Sequence, residues 1–468
     1  MDRGFKSLQT QREVGVAQGF IASGLRGLTK GWGSEDEITL YLAKCQVDTP
    51  KAVVDDVWKQ ILVRRRVIGK VVDYGAGDGR FSQSGRFASY VGYEIDNSRW
   101  TRSILTSNVC LVNKCAFSEP IWDADLSIGN PPYVRNQDLP DGWRQRATRI
   151  LSERTGIQLS GLANAWQYFF LLSLISTKPN GLVALVIPYE WVSRPSAAAI
   201  REYIKKRCWE VSVYRLLDDT FPRVLTTSSI TVVDKSQTNR RWQYFEEVSA
   251  GRYMKLPSVT PGEPGVLPYT SRTRMKITKS FAKRGLSPGT QKVLTFSEQE
   301  RARLGLRIGR DVVPCITSLR HLDSEVHTLD KHTFQQYYCK SGKKCWLINT
   351  TREPSDRLGD YLKEVPADKY QTKTCQSRDR WWQFVMPQAP DLLLSSGFIG
   401  NNTKVVVNSL AAHAVGGVCG IYKVPRPKRS KLAKALRKAK LGDRVVAHAN
   451  GLRKIEIHQM NSLLAGLA

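Results

Sequence analysis

Acidic residues, paired cysteines and long apolar runs are all scarce in this sequence. Asp and Glu total 42 against 71 Lys and Arg, which leaves a formal net charge of +29. So large a surplus argues against a protein that avoids polyanions and points to a nucleic-acid partner. No CxxC pair occurs among the nine cysteines, at 45, 110, 115, 208, 315, 339, 345, 375 and 419. Neither a disulfide framework nor a zinc ribbon is suggested, and reduced thiols are expected. The six histidines are dispersed as well; His321, His327 and His332 lie near one another without a matching carboxylate or cysteine pattern, as in a polar surface loop. No metal is expected. No stretch approaches the roughly 18 apolar residues of a spanning helix, and Met1-Asp2-Arg3 opens no signal-peptide pattern. These absences favour a cytoplasmic protein with no membrane partner.

What is present is an ordinary globular composition, 41% hydrophobic over 468 residues, enough for two or three domains. Residues 1–44 form a Gly-, Gln- and Ser-rich extension with at most a helix around Val14 to Leu28. A helix is then predicted from Thr49, a candidate N-cap, with Pro50 in its first turn and Val53, Val54, Val57 and Trp58 on one face. The strand-like run Val67 to Tyr74 passes into Gly75-Ala76-Gly77-Asp78-Gly79-Arg80, a turn that lets backbone approach a ligand. Arg80 stands where a dinucleotide fingerprint wants a third glycine, which counts against NAD. A second strand, Ala88 to Tyr93, ends at Glu94-Ile95-Asp96, and an acid there is placed to grip two ribose hydroxyls. A third strand is expected at Val109 to Val112.

The stretch that organises the chain comes next. Ala124 to Gly129 reads as a short buried strand, stopped by Asn130-Pro131-Pro132-Tyr133. The two prolines make a rigid elbow that presents an amide, carbonyls and an aromatic face at a strand's carboxyl end, the groups needed to hold a planar amine. A basic insertion, Val134 to Ser160, carries Arg135, Arg144, Arg146, Arg149 and Arg154 with Trp143; it reads equally as a phosphate-tracking loop or a solvated helix. Leu162 to Ile175 repeats at helical spacing, closed by Pro179-Asn180-Gly181, and its aromatics read as core. Strands at Gly181 to Pro188, Val211 to Leu216 and Ser228 to Val233, with a helix at Ala197 to Lys206, complete a doubly wound α/β sheet. Between the last two strands, Phe221-Pro222 makes another rigid turn presenting an aromatic, or a buried loop anchor. Past Arg240 the alternation stops and prolines crowd, which gives boundaries of 45–240 for the first domain, 241–268 for a linker and 269–468 for a second, mixed α+β domain.

The order of these motifs resembles the adenine-N6 DNA methyltransferases of the TaqI type, the gamma-ordered class, over about residues 45 to 235. The resemblance implies a Rossmann-like class I S-adenosylmethionine-dependent methyltransferase sheet. It places the cofactor over Asp73, Gly75 and Gly77, its ribose at Glu94, its adenine against Ile95 and its methionine end near Thr49. Asn130 would touch cofactor and substrate alike. The target adenine, flipped out of double-stranded DNA, would stack on Tyr133 and Phe221, with the Asn130 side-chain oxygen and the Pro131 carbonyl accepting from its amine and Pro132 stiffening the elbow. Those two acceptors return electron density to a poorly nucleophilic nitrogen, so no strong general base is required. Flipping costs a few kcal/mol, which aromatic stacking at roughly 1–3 kcal/mol per base offsets. One departure stands out: where the family usually carries an acid after the third strand, this chain reads Asn113-Lys114-Cys115-Ala116-Phe117, so cofactor affinity is weaker or a backbone carbonyl substitutes.

The resemblance further implies that the second domain reads the target. Its segment Tyr370 to Trp382 holds Lys373, Arg378, Arg380, Trp381 and Trp382, a basic-aromatic cluster suited to phosphate or guanine edges, although one of the two tryptophans also reads as core. A basic helix, Lys423 to Arg444, reads as a solvated face or a phosphate contact. The expected activity is the modification enzyme of a restriction-modification system or an orphan, with a separate cognate endonuclease as a further partner. No PD…ExK pair precedes the first domain, so a fused nuclease is not expected. RNA adenine methylation and methylation of a protein glutamine are the alternatives, the latter disfavoured by the large basic second domain. A non-catalytic DNA-binding protein on this fold is disfavoured by the intact Asn130 and Tyr133.

Overall fold

A computed structural model describes residues 47–99, 106–221, 227–256, 280–443, 445, 447–449 and 452–467. The helix expected around Val14 to Leu28 and the proline-rich stretch from 257 to 268 lie outside them. The chain divides into two compact units, 1–257 and 258–468.

The first unit is built on a nine-stranded sheet: β1 (Ile68–Tyr74), β2 (Phe87–Tyr93), β3 (Val109–Val112), β4 (Ala124–Gly129), β5 (Thr177–Pro188), β6 (Glu210–Arg215), β7 (Ser228–Asp234), β8 (Trp242–Ser249) and β9 (Arg252–Leu256). Their order is β3-β2-β1-β4-β5-β7-β6-β8-β9. Strands β1 to β5 run parallel to one another, and β7 lies antiparallel between β5 and β6. The central strands are continuous apolar runs because both faces are covered: Val71, Val72, Leu182, Val183, Ala184 and Val186 are all fully buried. Helix α1 (Lys51–Leu62) buries Val53, Val54, Val57, Trp58 and Ile61. Helix α2 (Asp141–Thr155) follows the elbow, and α3 (Ala165–Ser176) is apolar all round and embedded. Helix α4 (Ala198–Lys206) lies between β5 and β6 in the chain. From β1 the chain steps first to β2 and β3 on one side and then to β4 on the other, so strand order reverses between β1 and β4. A crevice therefore opens outside their carboxyl ends. This is the doubly wound α/β sheet that the sequence implied.

The structure corrects three local expectations and decides between two readings of a fourth segment. Residues 242–256 are not linker: β8 pairs parallel with β6 and β9 pairs antiparallel with β8, while Phe245 stacks on Tyr214 with centroids 4.7 Å apart. Two strands with no helix between them broke the alternation used to draw the boundary. Pro179-Asn180-Gly181 does not close a helix but lies in the first turns of β5, where the register against β4 shifts. A Cβ on Gly181 would sit 2.8 Å from the Asp125 carbonyl oxygen, so only glycine lets the two strands close up. Thr49 does not cap α1, which is preceded by Pro50 without a side-chain cap. The insertion after the elbow resolves as a helix, α2, which buries Trp143, Ala147 and Leu151 at four-residue spacing.

The second unit is mixed α+β. A five-stranded sheet, with Leu392–Ser395 at its centre, packs one face on the helices Arg429–Arg437 and Ile457–Leu467 through Ala433, Leu436, Met460, Leu463 and Leu464. A four-stranded sheet around Trp346–Ile348 and Val312–Ile316 closes the other core.

Candidate active site

The glycine loop after β1 faces the elbow after β4. Gly75, Gly77 and Gly79 have φ of 101°, 59° and 78°, where L side chains are strained. A Cβ on Gly75 would lie 3.3 Å from Pro132 Cδ, and one on Gly77 would lie 3.0 Å from Arg99 Nη1. The loop is pinned by the Gly75 and Ala76 amides, which donate to the Tyr93 carbonyl at 2.9 and 2.8 Å. Glu94 is buried, and its two carboxylate oxygens accept from the Gly77 amide at 2.8 Å and the Asp96 amide at 2.9 Å. Each oxygen keeps a lone pair for a ligand hydroxyl. The Asn113 side chain braces the same turn by donating to the carbonyls of Glu94 and Ile95, both at 3.0 Å.

Beneath the loop lies Asp73, fully buried. Its Oδ2 accepts from the Tyr90 hydroxyl at 2.6 Å, while Oδ1 has no partner. Burial pushes its carboxyl up to about 7 against the pull of the Tyr90 hydrogen bond. Gly129, at φ 137°, passes directly over it: a Cβ there would meet Asp73 Oδ1 at 2.1 Å. Next along the chain, the Asn130 Nδ2 donates to Thr49 Oγ1 at 3.1 Å, and Asn130 Oδ1 is buried without a partner. Thr49, freed from capping, thus sets the amide's direction. Tyr133 donates its hydroxyl to the Val186 carbonyl at 2.9 Å, which leaves its ring half-buried at the elbow; burial pushes its phenol up.

These elements line one open cleft. Thr49, Gly75, Gly77, Glu94, Ile95, Asn130 and Pro132 all line it. Pro131 and Tyr133 adjoin it from the elbow, and Asp73 supports it from below without lining it. Phe221 does not join them: it is 6% exposed and packed in the sheet's core with residues such as Tyr214 and Leu216, so the buried-anchor reading describes it. Sequence reasoning missed two further walls. Trp143 of α2 and Phe169 of α3 also line the cleft; the four-residue stripe of α2 was the available signal. Arg80 and Arg99 form its rim, paired with Asp78 and Asp48 respectively. Burial raises the Asp78 carboxyl, but the hydrogen bond from Arg80 outweighs it and holds that group below the usual carboxylate range.

Three members of the predicted base-reading cluster of the second unit, Arg378, Trp381 and Trp382, make contacts within that unit, while Arg380 is exposed. Arg378 donates to the Pro288 carbonyl at 2.8 Å, Arg380 pairs with Glu353 at 2.7 Å, and Tyr370 stacks on Trp381 at 4.2 Å. Trp381 and Trp382 both pack against the core, and Lys373 opens the short helix Lys373–Gln376. Among the described residues no His, Cys, Asp and Glu group is arranged to hold a metal, and no helix is long and apolar enough to cross a membrane.

Residues 123–219, which contain the elbow, match the family of the Eco57I restriction-modification methylase. Residues 271–436 match the C-terminal domain of the Type II methyltransferase M.Eco57I. The chain is similar to Eco57I-type restriction-modification methylases. Curated relatives of this kind include the Type II methyltransferase M.AccI of Acinetobacter calcoaceticus, 20% identical over 55% of this chain and 52% of the relative. Another is M.XamI of Xanthomonas campestris pv. amaranthicola, 25% identical over 38% of this chain and 37% of the relative. The chain thus spans about half or less of the length of these relatives. Among solved structures, the Type IIL restriction-modification enzyme MmeI in complex with DNA is similar at a TM-score of 0.55 and 10% identity, covering 94% of this chain and 67% of that one. The Type ISP restriction-modification enzyme LlaGI, a nuclease-deletion mutant with a DNA substrate mimic, is similar at 0.51 and 11%, covering 87% and 54%. Both likenesses concern the fold.

Proposed function

We propose that this chain is a site-specific DNA adenine-N6 methyltransferase of the kind found in restriction-modification systems, drawing its methyl from S-adenosylmethionine. The observation that carries the reading is Asn130 Oδ1, a buried acceptor without a partner, on a cleft-lining residue whose amide is held by Thr49. An unsatisfied buried acceptor costs about 1–3 kcal/mol, and a substrate amine removes that cost. The cleft suits the cofactor by the same kind of evidence: glycines where a Cβ would crowd Pro132 or Arg99, and a buried carboxylate with spare lone pairs for a ribose diol. When bound, the cofactor supplies an electrophilic methyl on a sulfonium.

The chain's own residues do the rest. Asn130 Oδ1 and the Pro131 carbonyl accept from the target amine, drawing its hydrogens from the ring plane and restoring the nitrogen lone pair. Tyr133, tethered to Val186, offers its ring to the flipped base. The formal charge of +29 supports a duplex partner, whose phosphates would supply most of the affinity. As the modification half of a pair, the enzyme would protect its sites from a separate endonuclease. The test is transfer of labelled methyl from S-adenosylmethionine to duplex DNA, RNA and protein, with products digested. Label in N6-methyladenine of DNA is expected. Asn130→Ala should lower transfer at least 100-fold while cofactor affinity stays within threefold; label in RNA or protein alone would replace the substrate assignment.

A further inference from the structure

The cleft has a direction. A methyl donor must place its reactive carbon by Asn130, and the ribose diol then falls at Glu94, the cleft's buried carboxylate with spare lone pairs. The base consequently lies beyond Glu94, among Ile95, Lys114, Cys115, Ala116, Trp143 and Phe169. Among the described residues, no carboxylate lines that end. Lys114 is paired with Glu119 at 2.8 Å, and the cleft's other acids, Asp48 and Asp78, are bound to Arg99 and Arg80. The Cys115 thiol is pushed up by burial, and the Trp143 ring N–H lies within its hydrogen-bonding reach. What the end does offer is aromatic surface: Trp143 is 4% exposed, stacked along Phe169 at 6.1 Å and edge-on to Phe117 at 5.2 Å. Helix α2 carries this wall, held by Ala147 and Leu151 in the core.

We infer that this chain holds the cofactor's purine by enclosure and aromatic contact, with Trp143 as the positioning wall, and does not read the amine at its 6-position. The inference rests on the cofactor reading above. A site built to hydrogen-bond a group rejects the analogue lacking it by roughly 10⁴–10⁵, whereas an apolar wall discriminates only weakly. The 468-residue chain should therefore bind S-adenosylhomocysteine and its 6-deamino analogue, which keeps the ring nitrogens as acceptors, with affinities within threefold of each other by calorimetry.

Trp143→Ala should weaken both ligands at least tenfold, and Trp143→Phe should recover most of that loss. Should Trp143→Ala fail to fold, Ala116→Asp provides the second arm: the new acceptor is expected to restore at least a tenfold preference for the 6-amino ligand. A preference above 30-fold in the unmodified chain would overturn the inference by showing that a backbone acceptor reads the amine. An unchanged ratio in Ala116→Asp would overturn the placement of the purine. Binding of neither ligand would instead overturn the cofactor reading, and this inference with it.

Discussion

Two carbonyl oxygens, Asn130 Oδ1 and Asp73 Oδ1, are buried within a few residues of each other in the fold without partners, and they do different work. That of Asn130 belongs to a residue lining the cleft, where a substrate amine is the proposed donor. That of Asp73 lies under Gly129, where no ligand reaches, and its cost appears as a carboxyl pushed up to about 7 from 3.8. Because the folded-state value is the raised one, the proton is held more tightly in the native chain. The associated stability is complete below about pH 3.8 and is lost as pH rises through about 7. The melting temperature of Asp73→Asn minus that of the unmodified chain should therefore climb between pH 4 and pH 8. A difference that stays flat across that range would show that Asp73 ionises freely. At this scale the motif residues were legible in the sequence, since Glu94, Asn130 and Tyr133 follow strand ends directly. The supporting role of Asp73 was not, because it depends on which strand passes above it.

At the scale of elements, the elbow works because β4 ends in a glycine. Gly129→Ala would place a methyl 2.1 Å from a carboxylate that Tyr90 holds in place, in a backbone region where side chains are strained. We expect a loss of roughly 2–5 kcal/mol in denaturant unfolding. An alanine variant of ordinary stability would mean that β4 can shift away from β1. Helix α2 shows how far pattern alone reaches: its basic residues left loop and helix equally open, and only the burial of Trp143, Ala147 and Leu151 decides for helix and brings the indole to the cleft. The reverse holds for Phe221, whose turn was visible in the sequence but whose ring is turned into the core.

For the whole molecule, the division at 257 has a consequence for truncation. A chain ending at 256 keeps β8 and β9 and should fold and bind S-adenosylhomocysteine with unchanged affinity, while losing most affinity for duplex DNA at low salt. A chain ending at 240, the boundary suggested by composition, exposes Tyr214 and leaves β6 as a bare edge, and its melting temperature should fall clearly below that of the longer piece. Equal stability of the two would show the hairpin to be dispensable.

The sequence by itself determined the order of strands and helices through most of the first unit, the glycine loop, the acid at the second strand's end and the rigid elbow. Each is a local signal, carried by residues adjacent in the chain. Tertiary structure alone decided that seven of those residues line one cleft, that Thr49 orients an amide instead of capping a helix, and that Asp73 lies out of ligand reach. It also tied Arg378 to the Pro288 carbonyl and packed Trp381 and Trp382 against the second unit's core. Which side chains meet depends on strand order and packing between segments distant in sequence, and no periodicity records that.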